Sequence, residues 1–460
     1  MKRQTIFEKF FGLRELLIVN CSLLILFSCS PYHKISRVVK STLLRDTAAS
    51  NAFIGISIYD PETKTYLYNH NGTKNFIPAS NTKLFSLYAG MKYLGDSLPG
   101  LRYRIRDTNM YVLPTGDPSF LNPEYAYQPA IELLNKYKMR TTFTDINWKD
   151  ERYGVGWAWD DYNDDYMVER NSLPIYANLI TLKFKKDTVQ SEGGSFIKPV
   201  VSIDLPPNLG SKIFATYGNS WDYFTVKRKL TNNDLDVYYS NKRSVFQPQI
   251  PLATDGIHTA LKILNTKYPW IVKDAIFYSS DKRQAYTLIR SIPSDSLFRP
   301  MMHRSDNFFA EQTLLMVSNE KLGYMKDEDI IDTLLNNELA DIPQKPKWVD
   351  GSGLSRYNLF TPQAFIYILN KLSNEFGRQR VFNILPTGGQ GTLRSYFLKD
   401  SSSIYAKTGT LSNNCALSGF LRTNSGKWLI FSILANHYQT GATPIRKASE
   451  RFLEQLRKLF

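Results

Sequence analysis

The chain has 460 residues, a formal net charge of +15, 43% hydrophobic and 22% charged residues. That balance fits a globular protein with a substantial core and excludes a largely disordered chain. The basic residues are scattered rather than clustered, so the charge does not call for a nucleic-acid partner; an anionic wall or membrane surface suits it better.

Lys2 and Arg3 precede an apolar run at 16–27 that is too short for a comfortable membrane span and reads as the core of an export signal. The run ends in Leu26-Phe27-Ser28-Cys29, a small residue before a cysteine, as in a bacterial lipobox. Residues 1–29 are therefore expected to be a lipoprotein signal with Cys29 as the lipidation site. The mature protein would then sit in the envelope, periplasmic and anchored to a membrane by lipid. The other cysteines are Cys21 and Cys415, so the mature chain would hold no internal disulfide. Residues 30–48 read as a polar tether.

Residues 52–59 have strand composition, Asp60-Pro61-Glu62-Thr63 supplies a turn, and 65–68 return as a second strand. Ser80 precedes a helical stretch at 81–94. From 101 to 290, Gly- and Asn/Asp-rich turns separate short β-like runs such as 200–205 and 285–289, which predicts a β-rich insertion. The chain turns helical again at 306–317 and 362–372. Residues 416–422 and 427–435 read as strands around the turn Thr423-Asn424-Ser425-Gly426, and 443–459 as an amphipathic closing helix. The expected fold is α/β (α+β). One sheet is built from both ends of the chain, 49–100 and 291–460, with 101–290 inserted between them.

Three patterns occur in order: Ser80-Asn81-Thr82-Lys83, Ser305-Asp306-Asn307 and Lys407-Thr408-Gly409. S-x-x-K alone says little, since it recurs at Ser195, Ser279 and Ser318, but K-T-G occurs once. Only Ser80 stands at a helix start after a strand pair. Serine and lysine at i and i+3 share a helix face, so a lysine amine of lowered pKa can take the hydroxyl proton. No H-E-x-x-H supports a zinc peptidase, no G-x-S-x-G an α/β-hydrolase, and no G-K-[ST] a phosphate-binding loop.

With these motifs the chain resembles the class C, low-molecular-mass penicillin-binding proteins, the D-alanyl-D-alanine carboxypeptidase/endopeptidases, over roughly 50–460. Further segments carry the resemblance: Gly116-Asp117-Pro118-Ser119, Gly156-Trp157-Ala158-Trp159-Asp160-Asp161, Asp350-Gly351-Ser352-Gly353-Leu354-Ser355-Arg356, and Leu385-Pro386-Thr387-Gly388-Gly389. The 225-residue separation of Ser80 and Ser305 matches the accessory insertions of that family. The resemblance implies a transpeptidase/β-lactamase-like domain and hydrolysis of peptidoglycan stem peptides, without metal or organic cofactor. It makes Ser80 the nucleophile and Lys83 the general base. By the same resemblance Ser305 would relay a proton and Asn307 would orient the substrate amide. The resemblance also implies that Lys407 and Thr408 would hold the terminal carboxylate beside Gly409, and that the backbone N–H groups of Ser80 and Thr410 would form the oxyanion hole. It also implies covalent inhibition by β-lactams, and an Asp161–Arg356 pair that receives the zwitterionic end of diaminopimelate. The competing readings are a β-lactamase or esterase on the same scaffold and a catalytically silent wall-binding lipoprotein.

Overall fold

The computed structural model describes residues 31–191, 194–207, 209–217, 225–239, 248–272 and 286–460. The export signal and Cys29 lie outside the described residues, as does Ser279. The chain divides into two compact units. The first comprises Met1–Pro78, Phe360–Lys371 and Pro386–Phe460; the second comprises Ala79–Leu359 and Leu372–Leu385.

In the first unit the two chain ends share one five-stranded antiparallel sheet. Its strand order is Ile404–Leu411, Asn414–Arg422, Trp428–Asn436, Phe53–Asp60, Thr65–His70. Phe53 faces Asn436 and Tyr59 faces Ile430, so the first strand of the fold is completed by the last. The strand composition of these segments has a direct cause. Ile54, Ile56 and Ile58 lie on one face of their strand and meet Leu429, Phe431 and Ile433 in a common core with Phe452 and Leu456 of the closing helix, Ala442–Arg457. The turn predicted at 423–426 closes through Thr423 N–H to the Lys427 carbonyl at 2.8 Å, with Gly426 in the left-handed region.

The expected tether at 30–48 needs correction. Pro31–Val39 is an α-helix continued by a π-helical turn, Lys40–Leu44. Ile35, Val39 and Leu43 fall four residues apart on one face and are fully buried in the same core. Asp46 pairs with Arg451 of the closing helix at 2.5 Å. Hydrophobic burial of three large side chains outweighs the polar look of the segment.

Among the described residues the second unit holds three sheets: a four-stranded one and two of three strands. Ser97–Arg106 pairs antiparallel with Thr287–Pro293, so the two ends of the middle stretch meet in the four-stranded sheet. The middle is accordingly β-rich, with the helices Pro129–Tyr137 and His258–Lys267 added. Compactness, however, groups the Ser80 and Ser305 segments with this middle in Ala79–Leu359, not at the expected edges of 101 and 290. The helices Lys83–Tyr93 and Asn307–Leu322 pack within this unit. At Gly90 an added Cβ would lie 2.8 Å from Thr313 and 2.7 Å from Phe298, so glycine lets the neighbouring helices close.

Candidate active site

Ser80 lies in a short 3-10 segment, Ala79–Thr82, that leads into the Lys83–Tyr93 helix. Ala79 before it adopts a left-handed backbone, φ +48°. The Asp350–Ser355 loop backs this strained entry. At Gly353, φ +81°, a Cβ would stand 2.0 Å from the Ala79 carbonyl oxygen, so only glycine fits there. Asp350 organises the loop: its carboxylate accepts from the N–H groups of Gly353 at 2.8 Å and Ser355 at 2.6 Å, from Asn358 Nδ2 at 2.8 Å and from Trp157 Nε1 at 3.0 Å.

Lys83 is the centre of the arrangement. Its side chain is completely buried, and Nζ donates to Ser80 Oγ at 3.1 Å, Asn307 Oδ1 at 2.6 Å and the Ser352 carbonyl at 2.7 Å. Burial pulls the amine down to about 8 from the ordinary 10.5, against the opposing pull of Asp350, Glu311 and Asp306. An amine so placed and so tuned is built to take a proton from the partly exposed serine.

The Ser305-Asp306-Asn307 motif has a local logic. Ser305 turns the chain with a left-handed φ of +64°. Asp306 is the N-cap of the Asn307–Leu322 helix, accepting from Phe309 N–H at 2.9 Å, which leaves Asn307 as its first residue. Gly323, φ +82°, ends the same helix. Asn307 joins Lys83 through Oδ1 and donates from Nδ2 to the Tyr166 carbonyl at 2.9 Å. Ser80, Lys83 and Asn307 are thus brought together, with Ser305 two residues from Asn307.

Lys407, Thr408 and Gly409 lie in the first unit, on the Ile404–Leu411 strand at the edge of the five-stranded sheet. Lys407 is fully buried and donates to the Thr408 carbonyl at 2.7 Å. Thr410 is exposed, faces Cys415 across the sheet, and receives a hydrogen bond from Arg446. Cys415 is a buried free thiol, pushed up to about 11 by burial.

Asp161 lies on the 3-10 turn Trp159–Asn163 and Arg356 is exposed at the end of the Asp350 loop. Their two segments are tied together: Trp157 bonds Asp350, and a Cβ on Gly156 would lie 2.9 Å from Ser355 Oγ and 2.7 Å from the Tyr357 ring. From the other side, Asn163 accepts from Arg228 N–H at 2.7 Å and donates to the Val226 carbonyl at 2.9 Å, so the turn is anchored to the Thr225–Arg228 strand. Sequence reading missed Glu311, which accepts from Ser352 N–H at 2.7 Å and pairs with the buried Arg170 at 3.2 Å. Its one signal in the sequence was a carboxylate placed between the apolar runs Phe308-Phe309-Ala310 and Leu314-Leu315-Met316-Val317. Among the described residues no group of three or more His, Cys, Asp or Glu side chains is placed to hold a metal ion.

A serine bonded to a buried, pKa-lowered lysine three residues on, with an asparagine on the same amine, defines the S-x-x-K class of serine acyl-transfer enzymes. The chain belongs to the D-Ala-D-Ala carboxypeptidase 3 (S13) family, whose model matches residues 38–456. It is 24% identical over 455 residues to a D-alanyl-D-alanine carboxypeptidase of Actinomadura sp. strain R39, covering 88% of this chain and 81% of the relative. It is 22% identical over 418 residues to the D-alanyl-D-alanine carboxypeptidase DacB of Haemophilus influenzae, covering 81% and 83%. Its fold is similar to the crystal structure of penicillin binding protein 4 from Haemophilus influenzae, with a TM-score of 0.71, 19% identity, and 92% and 99% of the two chains covered. That protein has also been crystallised in complex with a β-lactam. The expected class C penicillin-binding family and transpeptidase-like fold are thereby borne out, and the activity is that of a serine D-alanyl-D-alanine carboxypeptidase/endopeptidase.

Proposed function

We propose that the protein trims peptidoglycan stem peptides through an acyl-enzyme on Ser80. The observation that carries this reading is the Lys83 amine, buried, lowered to about 8 and 3.1 Å from Ser80 Oγ. Lys83 takes the hydroxyl proton while Oγ attacks the penultimate D-alanine carbonyl. The backbone N–H groups of Ser80 and Thr410 stabilise the oxyanion. Ser305 passes a proton to the departing nitrogen, Asn307 orients the substrate amide, and Lys407 and Thr408 hold the terminal carboxylate beside Gly409. The C–N bond breaks, D-alanine leaves, and water hydrolyses the Ser80 ester. The same serine attacks the β-lactam carbonyl, so penicillins acylate it covalently.

Asp161 and Arg356 receive the amine and the distal carboxylate of diaminopimelate; the tie between their loops supports this assignment. Cys29 carries the lipid that holds the enzyme at a membrane in the periplasm. Among the described residues no helix is long and apolar enough to cross a membrane. The test is D-alanine release from purified muropeptides by the mature protein. Release by wild type that vanishes in Ser80→Ala supports the reading, and equal release by both refutes it.

A further inference from the structure

We propose that Glu311 is a positioning residue that sets the location and protonation of Lys83 through the Ser352 backbone. The inference rests on the reading of Lys83 as the base. Glu311 and Asn307 stand one turn apart on the Asn307–Leu322 helix and address the same amine by two routes. Asn307 Oδ1 accepts from Lys83 Nζ directly, at 2.6 Å. Glu311 Oε1 accepts from Ser352 N–H at 2.7 Å, and the carbonyl of that same residue accepts from Lys83 Nζ at 2.7 Å. Gly351 makes this approach possible, since a Cβ there would lie 2.7 Å from the Ala310 carbonyl oxygen. Ser86 Oγ fixes the Gly351 carbonyl from the lysine's own helix at 2.5 Å.

Behind Glu311 stands a buried charge cluster. Arg170 Nη1 meets Glu311 Oε2 at 3.2 Å and Asp327 Oδ2 at 2.6 Å, while Nη2 meets Asp150 Oδ1 at 3.0 Å. Asp150 also accepts from Asp327 N–H at 2.8 Å. The groups facing Lys83 are Asp350, Glu311 and Asp306; those facing Glu311 are Asp350, Arg170 and Asp327. Burial, with Asp350 and Asp327, outweighs Arg170 and pushes the Glu311 carboxyl up to about 7. A carboxylate here favours the ammonium form of Lys83; a neutral group favours the free amine. Glu311 therefore gates how much base is present near neutral pH, and Arg170 with its two further carboxylates sets that gate.

The experiment follows the second-order rate of acylation by a fluorescent penicillin against pH, for wild type, Glu311→Gln, Glu311→Ala, Asp327→Asn and Lys83→Ala. Glu311→Gln keeps an acceptor for Ser352 N–H and removes the charge, so the acid limb moves to lower pH by roughly one unit. Asp327→Asn lowers the Glu311 pKa, leaves it more fully ionised, and moves the limb to higher pH. Glu311→Ala loses charge and acceptor together, so its plateau rate falls below that of the Gln variant. A Gln limb that coincides with wild type, or charge variants that move in the same direction, overturns the proposal. Should the Gln variant not fold, an Asp327→Asn limb that stays put or moves to lower pH overturns it equally. Acylation that survives in Lys83→Ala overturns the base assignment instead, so the two failures are distinct.

Discussion

The rate of acylation by penicillin should rise with pH and level off above about pH 8, because only the free amine of Lys83 can take the Ser80 proton. The magnitude follows from burial. At pH 7 a lysine of ordinary pKa is neutral in about one molecule in 3,000, whereas one at about 8 is neutral in about one in 11. Desolvation thus raises the population of competent base about 300-fold, in opposition to Asp350, Glu311 and Asp306. The sign is fixed: a lowered lysine pKa moves the limb toward neutrality, and restoring solvent to the site moves it back toward about 10. Stopped-flow acylation at constant ionic strength, from about pH 5.5 to about pH 9.5, reads the limb. A flat profile across that range, or a rate still climbing tenfold per unit at its upper end, would rule out Lys83 as a base of lowered pKa.

Gly353→Ala and Gly323→Ala place a Cβ at nearly the same φ, +81° and +82°, but only the first meets backbone, the Ala79 carbonyl at 2.0 Å. The Gly323 variant should lose about 1 kcal/mol and keep its penicillin labelling, while the Gly353 variant should lose several times more and label poorly, as thermal unfolding and labelling would report. Lys407→Ala should depress turnover of peptides ending in a carboxylate far more than turnover of neutral esters, measured as kcat/KM on paired substrates; equal losses would contradict the carboxylate role. Arg356→Ala should erase a roughly ten- to hundred-fold preference for diaminopimelate over lysine at the third residue of the stem, while sparing labelling by small penicillins. Cys29→Ser should shift the protein from the membrane to the soluble fraction of the envelope.

Much of the first unit was legible because its signals are local. Residues 52–59, 416–422 and 427–435 alternate or run apolar around clear turns, and all three strands stand close to where they were read. Motif order singled out Ser80 among four S-x-x-K serines because strand pair, helix start and K-T-G strand must agree. The Pro31–Val39 helix was hidden because three buried residues, Ile35, Val39 and Leu43, are diluted by His33, Lys34, Arg37 and Lys40. The unit boundaries were invisible because Ser97–Arg106 finds its partner in Thr287–Pro293, and such long-range pairing leaves no mark in a local window. Glu311 was missed for a related reason: its work is defined by Ser352 and Arg170, which only the folded chain brings to it.

Ser80 is the proposed carrier of the acyl group. Digesting the protein after brief exposure to penicillin and locating the adduct by mass spectrometry tests it directly. A single penicilloyl ester is expected on the peptide containing Ser80, absent in Ser80→Ala; an adduct on Ser195, Ser279, Ser305 or Ser318, or labelling that persists without Ser80, would rule Ser80 out as the nucleophile.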